Sequence, residues 1–113
     1  MKKGIYKMNL DFGRIGTLDG KFIATDEQVE TLTKSDIEVY FGEALGKHSE
    51  VFCKIKPKDI TLITENEDTV KIFEDEGLAS GYDPFAYTFI STEQEDEDMM
   101  VFEKVDKIIL ENK

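Results

Sequence analysis

Apolar and polar residues alternate along three segments of the chain, and this alternation predicts β-strands. The segments run from Tyr6 to Phe12, from Ile37 to Phe41 and from Val51 to Ile55. A period of two places one set of side chains on a buried face and the other set toward solvent. Shorter apolar runs at residues 60–63 and 86–90 predict two further strands.

Glycines and an Asp-Gly pair indicate how these strands connect. Asp19-Gly20 lies between two short apolar segments, and Asp-Gly accepts the positive φ angles of a type I′ turn, so the sequence predicts a tight hairpin there. Gly42 and Gly46 lie between the second and third alternating segments, which favours a hairpin with a longer loop.

Two capping boxes predict the first two helices. Thr25–Gln28 begins a short helix that we expect to reach about Leu32, and Thr64–Glu67 begins a second that we expect to reach about Glu76. Gly77 follows as a residue suited to the left-handed conformation that ends many helices.

The C-terminal segment, residues 99–113, fits two structures. Val101, Val105 and Ile108 have helical spacing, whereas Met99 to Phe102 equally suits the start of a strand. We favour a helix from about Asp98 to Glu111.

The mixture of elements, without regular β-α-β alternation, predicts an α+β fold. We expect one domain over residues 1–113, with a mostly antiparallel sheet of about five or six strands and two or three short helices.

Net charge adds the strongest functional indication. The chain has 25 Asp and Glu against 14 Lys and Arg, a formal charge of −11. Residues 1–24 are net basic, at +3, which leaves −14 on residues 25–113. Such a surface repels nucleic acid and anionic membranes and attracts basic proteins, so the expected partner is a basic protein. A single cysteine, Cys53, and the absence of an apolar run of about 18 residues favour a cytoplasmic protein.

Two acidic clusters are the predicted contact residues for that partner. One ends the second helix, where acids oppose the helix dipole without a visible structural gain, and the other is a predicted loop over residues 93–98. If residues 93–98 were extended at about 3.3 Å per residue, the distance between successive charges would be close to the distance between phosphates along one DNA strand. The predicted contacts are Glu74, Asp75, Glu76, Glu93, Glu95, Asp96, Glu97 and Asp98.

The segment 40–50 offers an alternative site for a small ligand or for catalysis. It contains the only histidine, but no spacing typical of a nucleophile with its base. Its glycines and cations could instead contact an anion. The candidate residues are Tyr40, Glu43, Lys47, His48, Ser49 and Glu50.

No metal or cofactor is expected. One histidine and one cysteine cannot complete a structural zinc site, and the acidic run lacks the spacing of an EF-hand. No phosphate-binding glycine motif is present either.

In size and charge the chain resembles phage-encoded nucleic-acid mimics, including anti-restriction and anti-CRISPR inhibitors, and also acidic immunity proteins and antitoxins. That resemblance rests on composition and on no shared motif. It implies a non-enzymatic inhibitor that engages a basic, nucleic-acid-handling protein. Two alternatives remain: a small enzyme or ligand-binding domain with its site at Tyr40–Glu50, and an adaptor that self-associates through Met99–Leu110.

Overall fold

The computed structural model describes residues 2–46, 49–96 and 98–112, and for Glu95 it describes the backbone alone. These ranges contain seven strands and three α-helices. They are β1 (Lys3–Asp11), β2 (Thr17–Thr25), α1 (Asp26–Lys34), β3 (Glu38–Gly42), β4 (Val51–Lys54), β5 (Ile60–Thr64), α2 (Glu67–Asp75), β6 (Ser80–Gly81), β7 (Thr88–Ile90) and α3 (Val101–Glu111).

The strands form two antiparallel sheets, which confirms the predicted α+β class. The four-stranded sheet has the order β5-β1-β2-β6, and the three-stranded sheet has the order β4-β3-β7. In the three-stranded sheet, β3 and β4 pair as the alternation predicted, with a bulge near Gly42.

The predicted hairpin at Asp19-Gly20 is wrong. β1 pairs with β2 along its whole length, from Lys3 opposite Thr25 to Asp11 opposite Thr17, so the chain turns at residues 12–16. Asp19 and Gly20 lie inside β2, which is a central strand.

Gly20 is in β2 because another strand approaches it closely. Gly20 pairs with Gly81 of β6, and a Cβ added at Gly20 would lie 2.8 Å from the backbone carbonyl carbon of Tyr82. A glycine inside a strand often marks such an approach. The close contact requires a residue without a side chain. Glycine is therefore needed here for space and not for the positive φ of a turn.

One of the two predicted capping boxes is present. The Thr25 hydroxyl accepts from the Gln28 amide, and the Gln28 side chain accepts from the Thr25 amide. The second box is wrong, because Thr64 pairs with Ile5 as the last residue of β5. Asn66 caps α2 instead, with its side chain accepting from the Thr69 amide at 3.0 Å.

The main core lies between the inner faces of both sheets and the apolar faces of α1 and α3. Phe22 and Met8 come from the four-stranded sheet, Val39 from the three-stranded sheet, and Leu32 and Val105 from the helices; all five are buried. Burial of side chains of this size stabilises the fold by roughly 1.5–3 kcal/mol each.

Helix α2 lies on the opposite side of the four-stranded sheet. Its buried residues Val70 and Phe73 pack on Ile5, which points away from the main core because its neighbour Tyr6 points into it. After the helix, Gly77 has a φ of 61° and Leu78 donates to the Phe73 carbonyl, so α2 ends as predicted.

The C-terminal segment contains the helix that the sequence favoured, beginning at Val101 rather than near Asp98. Val101 and Val105 face the core, and the Val101 amide donates to the Tyr87 carbonyl at 2.7 Å. None of the helices in the described ranges combines the length and apolar composition needed to cross a membrane.

Candidate functional site

The outer face of the three-stranded sheet presents aromatic and aliphatic side chains to solvent. Strand register places Phe52, Tyr40 and Thr88 in one row across β4, β3 and β7, and a bridge from Thr88 to Met100 extends that row. Ile90 lies in the adjacent row. We call the surface formed by Tyr40, Phe52, Thr88, Ile90 and Met100 the Tyr40 face.

Large apolar side chains on this face are only partly buried. Phe52 is 46% exposed and Ile90 is 45% exposed, whereas Val39 and Phe41 on the inner face of the same sheet are buried. Tyr40, Thr88 and Met100 line an open depression of about 260 Å³. Single exposed apolar residues are ordinary, but several on adjoining strands form a patch of the kind that protein partners cover.

Carboxylates surround the hydroxyl end of Tyr40. The Glu50 carboxylate accepts a hydrogen bond from the Tyr40 hydroxyl, and Glu43 lies near enough to act on it through its charge. Both effects favour the protonated phenol, so they raise the pKa of Tyr40 above its ordinary value of 10.0, with the Glu50 hydrogen bond as the largest cause. The Tyr40 hydroxyl therefore stays protonated at neutral pH and can donate to Glu50.

The second row of the Tyr40 face has mixed charge. Glu38 lies opposite Lys54 and opposite Ile90, and the Lys54 ammonium is 3.8 Å from the Asp36 carboxylate. Lys54 is the only basic residue in the sequences of β3, β4 and β7. With Glu43 and Glu50 near Tyr40, the described carboxylates around this face outnumber the Lys54 ammonium group, and we call this edge the acidic rim.

The structure brings together three of the six residues in the alternative site predicted from sequence. Tyr40, Glu43 and Glu50 lie at one end of the Tyr40 face, and Ser49 is half-buried in the adjoining loop. Lys47 and His48 lie outside the described residues, so the predicted roles of these two side chains stay predictions.

Within the predicted acidic loop, the carboxylate of Asp96 is held by two side chains outside it. Ser91 donates to Asp96 at 2.9 Å, and the Lys104 ammonium lies 3.2 Å from the same carboxylate. Both contacts lower the pKa of Asp96, the Ser91 hydrogen bond most strongly. The side chain of Asp96 is only 3% exposed, so it offers little surface to a partner, and its role as a partner contact stays a prediction.

Other members of that segment have different positions. Glu93 and Asp98 are exposed, and Asp98 has a positive φ of 64°. The Glu95 side chain and Glu97 lie outside what the structure describes. Residues 94–96 form a 3₁₀ turn, so this part of the segment is not an extended row of charges.

The acidic cluster that ends α2 and Asp96 of the second cluster lie on opposite sides of the four-stranded sheet. Glu74, Asp75 and Glu76 end α2, which covers the outer face of that sheet, whereas Asp96 is paired with α3 on the side of the main core. Glu74 also forms an ion pair with Lys3 at 3.2 Å. Asp96 therefore does not share one exposed surface with Glu74, Asp75 and Glu76.

The described part of the chain contains no cluster of metal-binding side chains, and its cysteine is unreactive. No group of three or more His, Cys, Asp or Glu side chains there is placed to hold a metal ion. Burial, with the nearby charges of Asp59 and Glu38, raises the pKa of Cys53 to about 11, so its thiol stays protonated and unreactive at neutral pH.

Sequence reasoning missed Phe52 and Ile90 as site residues, although the alternation of apolar and polar residues contained part of the signal, and it included Met100 only within the Met99–Leu110 segment. Tyr40 and Phe52 occupy outward positions of two strands predicted to pair, and aromatic residues at such positions are typical of a face that a partner covers. No protein-family model and no curated protein matches the sequence, and no solved structure matches the fold.

Proposed function

We propose that this protein is a non-enzymatic binding protein that docks onto a basic protein through the Tyr40 face. The observation that supports this most directly is the exposure of Phe52 and Ile90 beside Tyr40, on a sheet face with an acidic rim. Protein interfaces commonly combine a centre of aromatic and aliphatic anchors with a polar rim that stays in contact with water.

Charge favours a basic partner. The net charge of −11 attracts cationic surfaces over distances beyond direct contact, and Glu38, Glu43 and Glu50 are positioned to pair with Lys or Arg at short range. Proteins that handle nucleic acids present such cationic surfaces to phosphates. We therefore propose a nucleic-acid-handling protein as the partner, with carboxylates taking the place of phosphates and blocking that surface.

Distant acidic side chains and the apolar anchors of the Tyr40 face act on different steps of binding. Acidic side chains distant from the Tyr40 face, including Asp75 and Glu76, contribute to long-range attraction and hence to the association rate. The apolar anchors contribute to the lifetime of the complex, because changes at the centre of an interface act mainly on dissociation.

The test begins by capturing partners from a cell lysate with the full chain, and each candidate is then purified and its dissociation constant measured. Ile90→Ser is compared with Ile72→Ser, since Ile72 is also exposed, at 58%, but lies on α2 away from the Tyr40 face. We expect Ile90→Ser to weaken binding by at least about tenfold and Ile72→Ser to leave it unchanged.

Salt and competition complete the test. Raising the salt from about 50 mM to about 300 mM should slow association, and added DNA or RNA should compete with this protein for the partner. An acidic partner, salt-insensitive binding, or equal effects of the two isoleucine variants would refute the proposal. A dimer in light scattering that Ile90→Ser dissociates would assign the face to self-association instead.

A further inference from the structure

We propose that the outer face of the four-stranded sheet contains a separate binding site for a phosphate-type oxyanion, built on Lys7 and Lys21. This inference does not depend on the proposed function, because it concerns another face and a ligand of the opposite charge. It rests on a row of four side chains that the strand register places side by side.

The row crosses the whole sheet. Lys7 of β1 lies directly opposite Lys21 of β2, Thr61 of β5 lies beside Lys7, and Ser80 of β6 lies beside Lys21. Directly opposite residues share a face, with Cβ atoms about 4.5–5.5 Å apart. All four side chains are exposed. The row therefore presents two ammonium groups flanked by two hydroxyl groups.

The pairing of two lysines is unusual for this chain. Like charges directly across a sheet are unfavourable, and the protein has 25 carboxylates that could have neutralised them. Within the described residues, the ion pairs to carboxylates involve other lysines: Lys3, Lys34, Lys54 and Lys104. An oxyanion between the ammonium groups of Lys7 and Lys21 would remove their repulsion.

The surroundings give the row the form of a small site. Lys7, Lys21 and Ser80 line a depression of about 110 Å³ together with Asp19 and the backbone of Gly20 and Gly81. On one side, α2 covers the neighbouring Ile5–Ile23 pair, so the row lies next to the covered part of this face. Asp19 is the acidic member of the lining, and the two ammonium groups outnumber it.

The chemistry favours a compact tetrahedral oxyanion with several acceptor oxygens. Lysine ammonium groups bind phosphate as point charges, and serine and threonine hydroxyls donate to its remaining oxygens. Free phosphate and the terminal phosphate of a small phosphomonoester share this chemistry. The small depression and the chain's net charge of −11 favour such a ligand over a long polyanion.

The test is an NMR titration of the full ¹⁵N-labelled chain with inorganic phosphate, and separately with glycerol phosphate, at constant ionic strength set by chloride. We expect saturable shifts at the amides of Lys7, Lys21, Ser80 and Gly81. The Lys21→Met variant should weaken binding by at least about tenfold. The control is Lys34→Met on α1, which packs on the other side of the sheet, and it should bind as the wild type does.

The two ligands distinguish the sources of the anion. Tighter binding of glycerol phosphate indicates an organic phosphomonoester, and equal binding indicates free phosphate. Shifts that do not saturate, that chloride alone reproduces, or that survive in a folded Lys21→Met variant would overturn the proposal. Ser80→Ala gives a second test that keeps both charges, and it should weaken binding less than Lys21→Met does.

Discussion

Substituting Gly81 by alanine should destabilise the fold much more than the same change at Gly13. Both glycines have nearly the same left-handed backbone, with φ of 69° at Gly81 and 66° at Gly13. Alanine in that conformation costs roughly 1–2 kcal/mol at either position. The two sites differ in the space that a methyl group would enter.

At Gly81 that space is already occupied. A Cβ there would overlap the carbonyl oxygen of Asp19 and lie 2.8 Å from the Cα of Gly20, whereas nothing lies within 4 Å of a Cβ at Gly13. Those atoms belong to the backbone of a central strand, so β6 would have to move away. Overpacking of this kind typically costs a further 1–3 kcal/mol or so.

Movement of β6 also removes specific contacts. The Tyr82 amide donates to the Asp19 carbonyl at 3.0 Å, and the Tyr82 ring packs edge-on against Phe41 with centroids 6.3 Å apart. We therefore expect Gly81→Ala to lower the free energy of unfolding by about 2–5 kcal/mol, and Gly13→Ala by about 1–2 kcal/mol. A protein of this size has about 5–15 kcal/mol of stability in all.

Urea unfolding followed by far-ultraviolet circular dichroism measures this difference. A gap of about 2 kcal/mol between the two variants should separate their midpoints by roughly 1 M urea. Gly77→Ala is a second control, since Gly77 has a φ of 61° and open space around it. If the free energies of unfolding of Gly81→Ala and Gly13→Ala differ by less than about 0.5 kcal/mol, β6 does not approach β2 as closely as described.

Three further predictions test local features. In the same urea assay, Asn66→Ala should lower the free energy of unfolding by about 1 kcal/mol and Thr64→Ala by less, because Asn66 is the N-cap of α2. A larger effect of Thr64→Ala would show that Thr64 is the cap, as the sequence predicted. Asp96→Asn should have a lower free energy of unfolding than the wild type at pH 7. This difference should shrink as the pH falls through 3.8 and below, because folding lowers the pKa of Asp96. A difference that stays constant down to pH 2 would contradict this. Cys53 should react with iodoacetamide at pH 7 roughly 100-fold more slowly than an unperturbed thiol, because its pKa is raised from 9.0 to about 11. Unfolding in urea should restore the ordinary rate. Fast labelling of the folded protein would show that the thiol is exposed.

The elements that sequence predicted correctly depend on interactions between near neighbours in the chain. The Thr25 cap joins residues three positions apart, and the alternation in β3 and β4 follows from which side chains face the core. The Thr64 box failed because two capping signals lie two residues apart. Pairing of Thr64 with Ile5, a distant residue, extends β5 through the first signal and leaves Asn66 to begin the helix.

Asp19-Gly20 failed for the same physical reason over a longer range. An Asp-Gly pair satisfies the local requirements of a turn, and nothing near it in sequence indicates that Gly81 will pack against it. Pairing with Gly81 in the folded protein places Gly20 inside a strand, although the local sequence equally suits a turn. The acidic clusters show the same limit, since their sequence positions gave no indication that the sheet would separate Asp96 from the cluster that ends α2, or that Ser91 and Lys104 would bury Asp96.

The two proposed sites can be tested separately because the fold puts them on different surfaces. The Tyr40 face and the Lys7–Lys21 row are the outer faces of two sheets whose inner faces share one core. The acidic rim is therefore directed away from the core on one side, and the exposed lysines are directed away from it on another. The net charge of −11 reveals neither the acidic rim nor the exposed lysines, because it is a sum over both surfaces. Ile90→Ser and Lys21→Met should accordingly have independent effects, each confined to the ligand of its own face.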